Sequence, residues 1–276
     1  MRRLALLILA SVASLGTALP ALGAIAPPNG AALIIGVDHF QGRTRPNVGA
    51  VGDAMDKRDL LIKHGWRADQ IRVLVDGAAT QAAMREGMQW LVSRCSAPDS
   101  YCVFHYSGHV KQMGGSEGLN EFLWPHDNRF ISDTEFAGYM RQLHGHAWID
   151  IAGCEAAGFD NAVASDRRLF TAASQETEKG YEYPWWRNSV WTGLLVDEGM
   201  LQGKADANGD GHVTLSEAIP YAEQRAPGMT TGQPLGPQHP YAAGGGRENW
   251  FPAPSHSSLS LTAGAPAKRC ILFLCF

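Results

Sequence analysis

The 276-residue chain sets 23 lysines and arginines against 27 aspartates and glutamates, a net charge of −4, and 45% of its residues are hydrophobic. It has no basic stripe, which argues against a nucleic-acid partner, and its apolar content argues against a disordered chain. The first segment, "MRRLALLILASVASLGTALPALGA", has two arginines, an apolar run and then small residues, the plan of a secretory signal peptide. Residues 1–23 are therefore expected to be removed, with Ala21 and Gly23 marking the cut, and the mature protein to be secreted or periplasmic. The apolar run is too short and interrupted for a membrane span, so no stable membrane anchor is expected. Loss of Arg2 and Arg3 leaves 21 basic against 27 acidic residues, a net of −6.

After a Pro/Gly linker, "AALIIGV" (31–37) reads as a buried strand. "GAVGDAMDKRDLLIKHG" follows as a helix, with a stripe of Val51, Met55 and Leu60-Leu61 and a stop at Gly65. "IRVLV" (71–75) is a strand, and the next helix takes Thr80 as its N-cap. "YCVFHY" (101–106) is the third strand. Ser132 with Glu135 three residues on forms a capping box that opens another helix. "AWIDIAG" (147–153) and "RLFTAAS" (168–174) are the fourth and fifth strands, and "NSVWTGLLVDEGML" is a helix. This alternation predicts an α/β fold, a mostly parallel sheet flanked by helices on both faces. One domain is expected over residues 31–250, with a Ser/Ala/Pro-rich tail over 251–276.

The five cysteines are Cys95, Cys102, Cys154, Cys270 and Cys275. In an oxidising compartment Cys95 with Cys102, and Cys270 with Cys275, are available as local pairs. Cys154 is left over, either as a buried apolar residue or as a thiol kept for chemistry. His109 lies just past the third strand and Cys154 just past the fourth. Ligands of open α/β sheets sit beyond the carboxyl ends of the strands, so neighbouring strands would bring thiol and imidazole together for nucleophilic catalysis. Gly108, Gly153 and Gly158 allow close backbone approach, and the N–H groups of Cys154 and Val110, with Gly108, are candidate oxyanion donors.

"YSGHV" resembles the Tyr-Ser-Gly-His-Gly motif of caspase-like and metacaspase peptidases, and "IDIAGCEAAGF" resembles their nucleophile strand, its Cys-Glu similar to the legumain branch of that clan. The resemblance covers residues 31–200 and implies a caspase-like sheet, peptide or protein substrates, and a Cys154–His109 dyad. The chain departs from the pattern at Val110, where the family has glycine. It departs again at Ala152, where metacaspases carry an acid that selects a basic residue before the cut. Asp150, two residues further back on the same face, is the nearest substitute in the substrate pocket. Glu155 beside the thiol disfavours the thiolate. Ser174 falls where related enzymes build a pocket wall.

"DANGDGHVTLSE" (206–217) matches the twelve-residue calcium loop. Asp206, Asn208 and Asp210 would give side-chain oxygens, and His212 its carbonyl. Thr214 would act through water, Glu217 would bind Ca2+ through both oxygens, and Gly211 makes the turn. The sequence reading is an exported, calcium-binding cysteine endopeptidase. Two rivals stand beside it, an inactive caspase-fold protein that binds partners in a calcium-dependent way and a non-proteolytic thiol enzyme using the same dyad.

Overall fold

The computed structural model describes residues 29–115, 118–161 and 163–246. The expected leader, the Cys270–Cys275 pair and the tail lie outside these residues. In chain order the elements are β1 (Gly30–Gly36), α1 (Ala50–Lys63), β2 (Ile71–Val75), α2 (Gln81–Arg94), β3 (Tyr101–Ser107), β4 (Val110–Gly115), β5 (Gly118–Leu123) and β6 (Ile131–Ser132). There follow α3 (Asp133–Met140), β7 (His146–Ala152), β8 (Arg168–Ala172), β9 (Glu182–Tyr183), β10 (Asn188–Ser189), α4 (Val190–Thr192), a π-helix (Gly193–Leu201), α5 (Leu215–Thr230) and β11 (Tyr241–Ala243).

Six strands form the central sheet in the order β11-β8-β7-β3-β1-β2. All neighbours are parallel except β11, which runs antiparallel to β8 along one edge. The sheet is covered on both faces, so β1 is buried at every position and reads as a continuous apolar run. Alternation splits it: Leu33 and Ile35 join Met84, Met88 and Leu91 of α2 and Phe136 of α3, while Ala32 and Ile34 join Leu60 and Leu61 of α1, Trp191, and Ile219 of α5. Each such Leu or Ile contributes roughly 1.5–3 kcal/mol by leaving water. The α/β architecture expected from the sequence, a mostly parallel sheet flanked by helices on both faces, is the one observed.

The local signals held in part. Thr80 Oγ1 accepts the Ala83 N–H (3.3 Å) and Ser132 Oγ the Glu135 N–H (3.1 Å). The expected capping box on α3 stays half made, because Glu135 instead grips Arg85 of α2 through two bonds of 2.6 and 2.8 Å. The last expected helix is α-helical only over its first turn. Beyond that it widens, and Gln202 N–H reaches back five residues to Asp197 O (2.9 Å). There Trp186 lies flat against Gly193, where a Cβ would come within 2.6 Å of the ring, and its indole N–H donates to Asp197 (2.7 Å).

Helix α1 departs most from its expected stripe. Its buried residues are Ala50, Asp53, Ala54, Lys57, Leu60 and Leu61, so two charged side chains lie on the core-facing side. Lys57 Nζ sits 2.8 Å from Asp150 Oδ2 with neither side chain exposed, and 3.5 Å above the Trp148 ring.

Cys95, at the end of α2, is bonded to Cys102 in β3 across a separation of 7 residues. Closing so short a loop restricts the unfolded chain by about 2–3 kcal/mol. Reduction, or the Cys95→Ala/Cys102→Ala variant, is expected to lower Tm by roughly 5–10 °C in a calorimetric scan; an unchanged Tm would show that the bond adds nothing.

Candidate active site

Strands β3 and β7 are adjacent and parallel, with Ser107 opposite Ala152. The chain leaves both strands at the same height. Beyond β3 come Gly108 and His109; beyond β7 come Gly153 and Cys154. Gly108 N–H donates to Ala152 O (3.2 Å), adding one rung to the ladder. That bond uses the Gly108 amide, so Gly108 borders the cleft but is not an oxyanion donor. A Cβ on Gly153 would lie 2.8 Å from Val110 Cγ2 and 3.0 Å from Gly108 O, so the two turns nest only because this position lacks a side chain. Val110 spends its side chain on that packing and does not line the cleft.

His109 and Cys154 border one cleft of ≈ 560 Å³, walled by residues 45–48 after β1, by Gly180, Tyr181, Glu182 and Pro184, and by Gln233 and Pro234. His109 Nε2 stands 2.7 Å from Arg45 O. A carbonyl only accepts, so Nε2 carries the proton and Nδ1 is left as an acceptor. The ring stacks on Phe40 (centroids 4.9 Å apart, planes 19° apart) and leans on Trp124. Burial lowers its pKa below the ordinary histidine value, opposed by the bond to Arg45 O. The Cys154 S–H points to Gly180 O at 3.8 Å, and burial raises the thiol pKa, opposed by that bond and by the charge of Lys179. Among the described residues thiol and imidazole share a cleft without a hydrogen bond between them, and the Cys154 N–H carries no hydrogen bond.

Two sequence expectations at this site need correction. Asp150 keeps the face of Ala152 but is sealed in the core: Oδ2 takes Lys57 Nζ and His105 Nδ1 (both 2.8 Å), Oδ1 takes Thr171 Oγ1 (2.7 Å) and Trp191 Nε1 (2.8 Å). It is not part of a substrate pocket. Ser174 is likewise buried; its hydroxyl donates to Gly153 O (3.1 Å) and accepts from Ala156 N (3.3 Å), so it braces the turn that carries Cys154 from behind. Glu155 adopts a left-handed conformation (φ +47°) and pairs with Lys179.

The acids that do approach the cleft were missed. Glu182 lines it, with Oε2 accepting the Val48 N–H (2.7 Å). Asp53 lies beneath Ser189 and accepts from Ser107 Oγ (2.7 Å), Asn188 Nδ2 (3.1 Å) and Ser189 N (2.9 Å). Desolvation raises both carboxyl pKa values to about 7. The signal for Asp53 was available in its spacing, four residues before Lys57 and seven before Leu60 on one helical face.

In the 206–217 loop, Asp206 accepts the N–H groups of Gly209 (2.7 Å) and Gly211 (2.9 Å), Asn208 that of Asp210 (2.8 Å), and Asp210 that of His212 (2.8 Å). Gly211 takes φ +83°. The turn therefore suits the loop's spacing, but Glu217 is engaged in the capping box of α5, with Oε2 accepting Thr214 N and Oγ1 (2.9 Å each) and Oε1 the Ala207 N–H (3.3 Å). Among the described residues no three His, Cys, Asp or Glu side chains converge to hold a metal ion. A second acidic pocket of ≈ 480 Å³ is bordered by Glu121, Asp133, Asp160 and Glu176. No described helix is long and apolar enough to cross a membrane.

The family model described as "Caspase domain" matches residues 29–208. Metacaspase-1 of Schizosaccharomyces pombe is 32% identical over 124 residues, covering 40% of this chain and 29% of that protein. Metacaspase-1 of Arabidopsis thaliana is 35% identical over 219 residues, covering 68% of this chain and 58% of that protein. The chain thus spans less than two thirds of either relative. Among solved structures, protein GSU0716 from Geobacter sulfurreducens shares the fold, with a TM-score of 0.58 at 16% identity, covering 81% of this chain and 97% of that one.

Proposed function

Because the chain belongs to the caspase-domain family, we propose that it is an exported cysteine endopeptidase in which Cys154 is the nucleophile and His109 the proton carrier. The observation that carries the reading is their common cleft, reached from the ends of two adjacent parallel strands. The thiol proton passes to Nδ1 of His109 as sulfur attacks the peptide carbonyl carbon. The C–N bond then breaks as the imidazolium returns that proton to the leaving amine. Water hydrolyses the remaining thioester, His109 taking its proton, and the thiol is restored. The Cys154 N–H, which carries no hydrogen bond among the described residues, would donate to the developing oxyanion. The Cys95–Cys102 bond and the leader-like first 23 residues support export. Glu182, rather than Asp150, is the carboxyl group that lines the cleft, which supports a basic residue before the cut.

We further propose that the loop from Asp206 to Glu217 binds Ca2+. A cation would draw Glu217 away from Thr214, joining it to Asp206, Asn208, Asp210, the His212 carbonyl and, through water, Thr214. Both readings meet in one experiment. Wild type is incubated with a fluorogenic peptide library of mixed residue before the cut, with calcium or with chelator, and Ca2+ binding is followed by calorimetry in wild type, Glu217→Gln and Asp133→Asn. Internal cleavage, fastest after Arg or Lys, is the expected result, with Ca2+ affinity lost in Glu217→Gln and kept in Asp133→Asn. No cleavage in either lane with binding intact would favour a calcium-dependent binding protein; loss only in Asp133→Asn would move the cation to the second acidic pocket.

A further inference from the structure

The turn that carries Cys154 is held by a second segment, residues 178–180, which crosses it at three points. Glu155 N–H donates to Glu178 O (2.8 Å). Lys179 Nζ pairs with Glu155 Oε1, whose side chain is only 5% exposed. Gly180 O receives the Cys154 S–H, and a Cβ on Gly180 would fall 2.7 Å from Gly153 O and 3.5 Å from Cys154 N. A residue with a Cβ resists the left-handed conformation Glu155 adopts, by about 1–2 kcal/mol, so an external contact must hold it. A buried carboxylate one residue from a thiol also opposes thiolate formation.

Taking Cys154 as the nucleophile, we propose that Lys179 is its positioning residue. Its ion pair with Glu155 fastens the 178–180 segment across the nucleophile turn and cancels the one buried negative charge adjacent in sequence to the sulfur. The remaining charged or titratable groups lining the cleft with the thiol are Tyr181 and Glu182, which follow that segment, and His109 and Arg45 on the opposite wall. None of them reaches Glu155 through a hydrogen bond or ion pair among the described residues.

The test is the rate of Cys154 alkylation by iodoacetamide between pH 5 and 10, read on the Cys154 peptide by mass spectrometry so that other thiols do not contribute. Lys179→Met leaves the carboxylate uncompensated and is expected to slow alkylation at pH 7.5 by roughly threefold to tenfold. Glu155→Gln leaves the ammonium uncompensated and is expected to speed it. The double variant should return to within about twofold of wild type, and Lys179→Arg should match wild type. Two single variants that both slow the reaction, or that both leave it unchanged, would overturn the proposal, because a packing role alone carries no opposite signs. Alkylation needs no peptide hydrolysis. The expected pattern in a protein that cleaves no peptide would therefore uphold the role of Lys179 while removing the peptidase reading.

Discussion

Cys154→Ala is expected to remove peptide hydrolysis, lowering kcat/KM by at least ~10⁴-fold, because no other group among the cleft walls can form the thioester. His109→Ala is expected to cost ~10²–10⁴-fold, the usual worth of a positioned proton carrier. The pH profile follows from two opposed shifts with one cause. Burial raises the thiol pKa above its ordinary range and lowers the imidazole pKa below its own. Across neutral pH the resting pair is therefore uncharged, and the proton moves only as sulfur attacks. Activity should fall in acid as pH drops through the lowered His109 value, where Nδ1 is already protonated and can accept nothing. It should hold through pH 8. The check is kcat/KM from pH 4.5 to 9.5 in wild type and His109→Ala. Activity that rises as the pH falls below 6, or a His109→Ala enzyme within threefold of wild type, would be incompatible with the scheme.

Lys57→Met is expected to be the most damaging single substitution for stability, by about 3–5 kcal/mol, since it leaves a carboxylate buried without its counter-charge. That corresponds to a drop in Tm of roughly 10 °C. Asp150 has four donors on its two oxygens. Burial alone would raise its pKa; the Lys57 charge and the His105 bond outweigh that and hold the carboxyl below the usual range. A depressed carboxyl stabilises the fold above the unfolded value, near 4, and that stabilisation is lost as pH falls through the folded value. Wild type should thus lose stability on acidification more steeply than Lys57→Met. In Lys57→Met/Asp150→Asn the amide oxygen still serves Thr171 and Trp191, so part of the loss should be recovered. Urea unfolding at pH 7 and at several values below pH 4 decides it; a loss below 1 kcal/mol at pH 7 in Lys57→Met would mean that water or relaxation already screens the pair.

The central strands were readable because a strand buried on both faces reads as an apolar run, as 31–37 does throughout and 101–106 does but for His105. Thr80 and Ser132 gave away their helices because a hydroxyl at that position has one inexpensive partner, an orphan N–H. The small antiparallel sheet of β4, β5 and β6 was invisible: "VKQMGG" and "GLNEFL" are polar, glycine-containing and short of β-branched residues, and their pairing is a long-range fact. The edge strand β11, "YAA", carries no pattern of its own. At the site, the shared cleft of His109 and Cys154 was legible because both follow the ends of strands that pair in parallel. Asp150 was misplaced because alternation gives a face and not a depth, and Asp53 and Lys57 because a hydrophobic stripe cannot register charges that the core neutralises.

The single extra rung from Gly108 to Ala152 separates two tasks that many enzymes must perform with the same loops. The spacing of sulfur and imidazole is inherited from a hydrogen-bonded register, which can change only by a slip that would turn every side chain of a strand to the opposite face. The outer walls of the cleft, residues 46–48, Tyr181, Glu182, Pro184, Gln233 and Pro234, hang outside that ladder. They are free to lengthen, shorten or change composition over generations while the reacting atoms keep their places. In such a scaffold chemistry is a property of the lattice and taste is a property of the fringe, and new preferences can be explored without reinventing the reaction.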